Sequence, residues 1–116
     1  MLKTSKQLNI QEIENSYSGE GVTQTKHIII GNELRKNSEL FGKIILKKNA
    51  SIGVHQHGND FEVYYILKGK GILIENDEVM EVKGGDTIYT SNNQKHLIKN
   101  TGYDDLEFIA IVINDD

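Results

Sequence analysis

The chain has no cysteine and no proline, and of its basic residues only Arg35 is an arginine. Without cysteine there can be no disulfide, thiolate zinc site, iron–sulfur cluster or cysteine nucleophile, and the absence fits a reducing compartment. Without proline, nothing interrupts a strand pattern anywhere along the chain. Positive charge is also scarce. Thirteen basic residues face 17 acidic ones, a formal charge of −4, so no electrostatic grip on nucleic acid is expected. A lone guanidinium weakens a phosphate-binding reading further. Long apolar runs are missing too. The longest, Phe108 to Ile113, is far below the ~20 residues of a transmembrane helix. The opening stretch MLKTSKQLNIQEIENS holds no apolar segment of a secretory signal. Together these absences predict a cytoplasmic protein with neither membrane nor nucleic acid as partner.

What is present reads as one globular domain: 116 residues, 37% hydrophobic and 26% charged. The first 26 residues show little periodicity, with Leu8, Ile10 and Ile13 scattered among polar neighbours and 16–21 as loop. From there the pattern is β throughout. Short runs at Thr25–Ile30, Leu40–Lys47, Ser51–His57 and Phe61–Lys68 alternate apolar and polar residues or are rich in β-branched and aromatic ones. Gly71–Glu75 and Glu78–Val82 flank Asn76-Asp77, a two-residue hairpin signal. Asp86–Thr90, His96–Asn100 and Leu106–Ile113 complete the set. Many short strands without a helical pattern predict an all-β antiparallel sandwich or barrel. The expected organisation is an irregular N-terminal segment over 1–26, available as a dimer arm, and a barrel domain over 27–116.

Four histidines stand at 27, 55, 57 and 96. His55 and His57 are two apart on an expected strand, so both rings leave the same face, ~7 Å apart along the backbone. Taken alone the pair is a weak signal and reads more readily as two histidines on a solvated strand face. Its surroundings change that. The stretch His55-x-His57-x4-Glu62-x6-Gly69 resembles the first motif of the cupin superfamily. The second motif is matched in spacing by Gly85, Ser91, Asn93, His96 and Asn100. Departures fall on backbone-shaping positions: Asn49 and Asn93 replace glycines, and Ser91 replaces a proline. Asparagine accepts left-handed backbone angles, so both turns stay feasible.

The resemblance implies a double-stranded β-helix, the jelly-roll barrel of cupins, with one divalent metal in its mouth. The family's ligands correspond to His55, His57, Glu62 and His96. Three imidazoles and a carboxylate suit Mn, Fe, Co, Ni, Cu or Zn, and octahedral geometry leaves two positions for a small-molecule ligand. The ion brings +2 and Glu62 offsets one charge, so the mouth is expected to be locally positive and to favour chelating carboxylates or vicinal oxygens.

Other residues are weighed beside these. Tyr64 and Ile66 share a face with Glu62 and should line the cavity, whereas Tyr65 faces the other way. Tyr64, Tyr89 and Glu107 are the acid–base candidates, the last two on condition that they face inward. Asn100 reads as a structural strand-end residue and Asp86 as an acceptor for turn amides. His27 is read as an ordinary strand histidine and Arg35 as solvated. Lys68-Gly69-Lys70-Gly71 opens no helix and reads as a hairpin turn, not a phosphate loop. The function expected is a small metalloenzyme of isomerase, lyase or dioxygenase type acting on an oxygen-rich metabolite. The competing reading is a non-catalytic sugar or small-acid binder. The apolar character of both faces of Phe108–Ile113 adds a homodimer to the expectations.

Overall fold

A computed structural model describes residues 1–56, 58–91 and 94–115, with His55 and Gln56 described by their backbone alone. Among the described residues ten strands form two antiparallel sheets. The first sheet has six strands in the order β1 (Ile10–Glu14), β2 (Val22–His27), β3 (Ser38–Leu46), β10 (Leu106–Asn114), β5 (Asp60–Lys68) and β8 (Thr87–Ser91). The second has four in the order β4 (Ser51–Gln56), β9 (Lys95–Asn100), β6 (Lys70–Glu75) and β7 (Glu78–Lys83). Chain-adjacent strands switch between sheets, which is the jelly-roll arrangement.

Period-two alternation decides which side chains fill the space between the sheets. On β5, Glu62, Tyr64 and Ile66 are buried while Tyr65 is exposed. On β10, Phe108, Ala110 and Val112 are buried. Leu46, Ile66, Ile98, Leu106 and Phe108 close the base of the barrel as a continuous apolar core. Asn100 stitches that base. Its buried amide nitrogen donates to the Leu46 and Asp104 carbonyls at 2.9 Å, and the Gly102 amide donates to its Oδ1. The structural reading of Asn100 therefore holds. Asp86 accepts from the Lys83 amide, as its turn position suggested. The β6–β7 hairpin turns at Asn76 and Asp77 with φ of 50° and 68°, and Asn49 takes φ 66°, the left-handed angles expected of them. Asn93 lies outside the described residues.

The first 26 residues differ from the sequence reading. They hold β1 and β2, paired from Ile10 opposite Lys26 to Glu14 opposite Val22, and β2 continues the sheet against β3. The pattern hid them for a physical reason. Their inner face, Gln11, Ile13, Thr23, Thr25 and His27, borders a cavity and not the packed core, so it carries no run of apolar residues. The turn between them, Ser16–Ser18, crosses to the other sheet. Ser51 donates its amide to Glu20 at 2.7 Å and accepts from the Glu20 amide through Oγ at 2.9 Å. Gly53 makes the contact possible, since a Cβ there would stand 2.0 Å from the Tyr17 carbonyl oxygen.

Candidate functional site

Glu62 and His96 come from different sheets and meet inside the barrel. Glu62 Oε1 stands 3.1 Å from His96 Nε2, and both side chains are buried. The strand register explains the meeting. Glu62 on β5 is opposite Thr90 on β8, and Thr90 Oγ1 reaches across to His96 Nδ1 at 3.1 Å. Nδ1 is thereby engaged, and Nε2 is the nitrogen aimed at the carboxylate. In this arrangement Nε2–H donates to Glu62 and Nδ1 accepts from the Thr90 hydroxyl. A hydroxyl can also accept, so Thr90 could equally hold the ring with Nε2 stripped of its proton for a metal. On β4 the Cα of His55 lies directly opposite that of His96. The His55 side chain and the whole of His57 lie outside the described residues.

Tyr64 completes this cluster. Its ring stacks on His96 with centroids 5.7 Å apart and packs against Phe108 at 4.5 Å. Burial pushes its hydroxyl pKa well above the ordinary phenol range. The Glu62 charge and the hydrogen bond Tyr64 donates to that carboxylate push it the same way. A phenol so placed keeps its proton and serves as a donor. A carboxylate oxygen and an imidazole nitrogen converging in a buried pocket, each oriented by a hydroxyl, are a donor set that fits a borderline divalent ion.

The cluster opens into a cavity of about 400 Å³, within the ~300–1,000 Å³ of small-molecule sites. Glu62, Tyr64 and Val112 form one wall, and Ile13, Thr23, Thr25 and His27 of the N-terminal hairpin another. Glu39 and Asp60 also line it. The charge expected from the sequence counted Glu62 alone. Two further carboxylates therefore stand at the cavity beside the one that the expectation counted.

The family described as Cupin domain matches residues 42–112. The chain belongs to the cupin family. A Thermotoga maritima protein named oxalate-binding protein is 34% identical over 113 residues, covering 97% of this chain and 93% of that one. A crystal structure from the same organism, described as a predicted oxalate decarboxylase, superposes with a TM-score of 0.92 at 33% identity, covering 98% and 99% of the two chains. The polyketide cyclase RemF from Streptomyces resistomycificus gives a TM-score of 0.76 at 18% identity, covering 100% and 81%, a likeness of fold.

The remaining candidates fall away from the cavity of this cupin. Tyr89 is 58% exposed and lies on the outer face of β8, its ring 5.6 Å from that of Phe61. The inward positions of that strand are Ile88 and Thr90. Glu107 is buried on the outer side of β10, between Lys43 at 2.6 Å and Lys68 at 2.9 Å. Burial pushes its pKa up, but the hydrogen bonds and charges of Lys43 and Lys68 outweigh this and hold it below the ordinary carboxylate value. Neither residue meets the inward-facing condition. Arg35 is exposed at the end of a 3-10 turn. His27 does more than the sequence suggested. It borders the cavity, 3.2 Å from Gln11 Oε1 through Nε2. Thr90, Thr23, Glu39 and Asp60 belong to no motif, and no spacing signal marks them.

Proposed function

We propose that this cupin holds one divalent transition metal through His55, His57, Glu62 and His96, and captures on it a small oxygen-rich ligand. The observation that carries the reading is the buried Glu62–His96 pair, with the imidazole held by Thr90 and the His55 backbone directly across the ladder. When bound, the metal supplies a Lewis acid that takes two ligand oxygens. The chain's own groups supply the rest: Glu62 and the imidazoles fix the ion, Tyr64 donates to Glu62, and the hairpin β1–β2 walls the cavity. One Thermotoga relative is named for binding oxalate and the other structure for its predicted decarboxylation, and both are compatible with a chelating site. Protein purified without chelator should carry close to one equivalent of a first-row divalent ion. The double variant His55→Ala/His57→Ala should stay folded and lose it. Oxalate, 2-oxo acids or hydroxy acids should raise the Tm of the metal-loaded protein and leave metal-stripped protein unchanged. Full metal occupancy in the double variant would defeat the assignment.

A catalytic reading is favoured by one observation, the buried Tyr64 hydroxyl beside Glu62. It is the one acid–base candidate of the three that reaches the cavity. In that reading Tyr64 is the proton donor, and Tyr64→Phe abolishes turnover of a bound ligand, followed by NMR, without abolishing binding. Pairing into a homodimer belongs to the same proposal. The N-terminal hairpin pairs within the chain's own sheet, and the pairing surface in this proposal is the outer face of that six-stranded sheet.

A further inference from the structure

The turn between β1 and β2 holds its backbone in a conformation that most side chains avoid. Asn15, Tyr17 and Ser18 have φ of 53°, 50° and 62°, the left-handed region that is least tolerant of bulky residues. The surroundings enforce it. The Asn15 amide donates to the Gly21 carbonyl at 3.0 Å, and the Ser18 amide donates to the Asn15 carbonyl at 3.0 Å. The Tyr17 carbonyl is pressed against Gly53, and Ser51 holds Glu20 through both its amide and its hydroxyl. In each of these contacts the turn contributes backbone atoms alone. Glycine or asparagine at 17 would meet them without strain. A tyrosine held there points to a use for its side chain.

That side chain stands at the cavity. Tyr17 is 65% exposed, yet it lines the cavity together with Glu62 and Tyr64, which places the phenol at the rim. It belongs to the Glu62 end. Burial and the Glu62 charge push the Tyr64 pKa up, and Tyr17 is near enough to Tyr64 to add to that push. The turn also abuts β4 at Gly53, two residues before His55. A chelated carboxylate gives one oxygen to the ion and turns the other outward, where it accepts hydrogen bonds. A phenol on the rim is a suitable donor to that oxygen. We propose, resting on the metal-chelation reading above, that Tyr17 is a ligand-binding residue whose hydroxyl donates to the outward oxygen of a carboxylate chelated at the Glu62 end of the cavity.

Calorimetry of oxalate binding to the metal-loaded protein tests this. Tyr17→Phe keeps the ring and the backbone and removes only the hydroxyl. It should weaken oxalate about tenfold, the worth of a hydrogen bond to a charged oxygen. Metal affinity should stay unchanged, because Tyr17 lies outside the proposed ligand set. Tyr17→Asn gives up the ring as well but accepts a left-handed φ. It should weaken oxalate at least as far, with a ligand-free Tm equal to or above that of the natural protein. Equal oxalate affinity in Tyr17→Phe and the natural protein would overturn the role of Tyr17 alone. A lowered ligand-free Tm in Tyr17→Asn would mark the ring as structural and overturn it too, as would loss of metal in Tyr17→Phe. If the metal-loaded natural protein binds no oxalate, the chelation reading fails and takes this one with it.

Discussion

At Thr90 the hydroxyl oxygen lies 3.1 Å from Nδ1 of His96, so the ring that faces Glu62 is aimed by a residue outside the proposed ligand set. Groups that orient a ligating histidine are worth about 10–100-fold in metal affinity. Thr90→Val is therefore expected to weaken metal binding by about that factor and Thr90→Ser to restore it, read by competition with a chromophoric chelator. Equal affinity in the valine variant would remove Thr90 from the site. Tyr64→Phe should cost stability of about 1 kcal/mol for the lost hydrogen bond to Glu62, measured by urea unfolding of the metal-free protein. The cupin resemblance carried by residues 55 to 69 and 85 to 100 implied Glu62 and His96 as neighbours, and period-two parity placed Tyr64 with them. The same parity, applied to Ile88, would have turned Tyr89 outward. Thr90 and Thr23 were illegible because a threonine on a strand is equally at home facing water, core or cavity.

Glu107 shows how the six-stranded sheet is tied across its outer side. It sits on β10 and grips Lys43 of β3 and Lys68 of β5, so one carboxylate links three adjacent strands. Its folded pKa lies below the ordinary carboxylate value because the two lysines outweigh the opposing effect of burial. A carboxylate with a depressed folded pKa contributes stability above its unfolded pKa, and that contribution is lost as the pH falls through the folded value. Glu107→Gln should thus lower stability at pH 7 by on the order of 1 kcal/mol. The gap to the natural protein should close as the pH falls below about 4.3, the ordinary glutamate value. Unfolding free energies measured from pH 7 to pH 3 provide the check, and a gap constant across that range would mean the ion pairs contribute nothing. At this scale the strands from β3 onward were legible, because their inner faces are apolar and their turns carry glycine or asparagine. The β1–β2 hairpin was legible only in part: Thr25–Ile30 was read as a strand where β2 runs Val22–His27, and β1 was missed. Its inner residues, Gln11, Thr23, Thr25 and His27, face a cavity, and a polar cavity wall leaves the same trace in sequence as a loop.

For the whole molecule, the outer face of the six-stranded sheet is the surface that alternation leaves unexplained. Ile109 and Ile111 of β10 point outward beside Tyr65 and Val63 of β5, and Tyr89 of β8 extends the row. Tyr65 is 47% exposed and Tyr89 58%. Contiguous exposed apolar side chains on a sheet face mark an interaction surface, and a two-fold axis pairs such a patch with its own copy. A standard interface needs about 800 Å² from each partner. Glu107 with its two lysines sits at the end of this face, supplying the polar rim that stable interfaces carry. The expected particle in light scattering is twice the 13.1 kDa chain. Tyr65→Lys together with Ile109→Lys places charge in the middle of the face and should yield a folded 13.1 kDa monomer, with its metal content unchanged because both side chains point away from Glu62. A natural protein that scatters as a monomer at micromolar concentration would refute the pairing. A double variant that remains dimeric would move the interface to another face of the barrel.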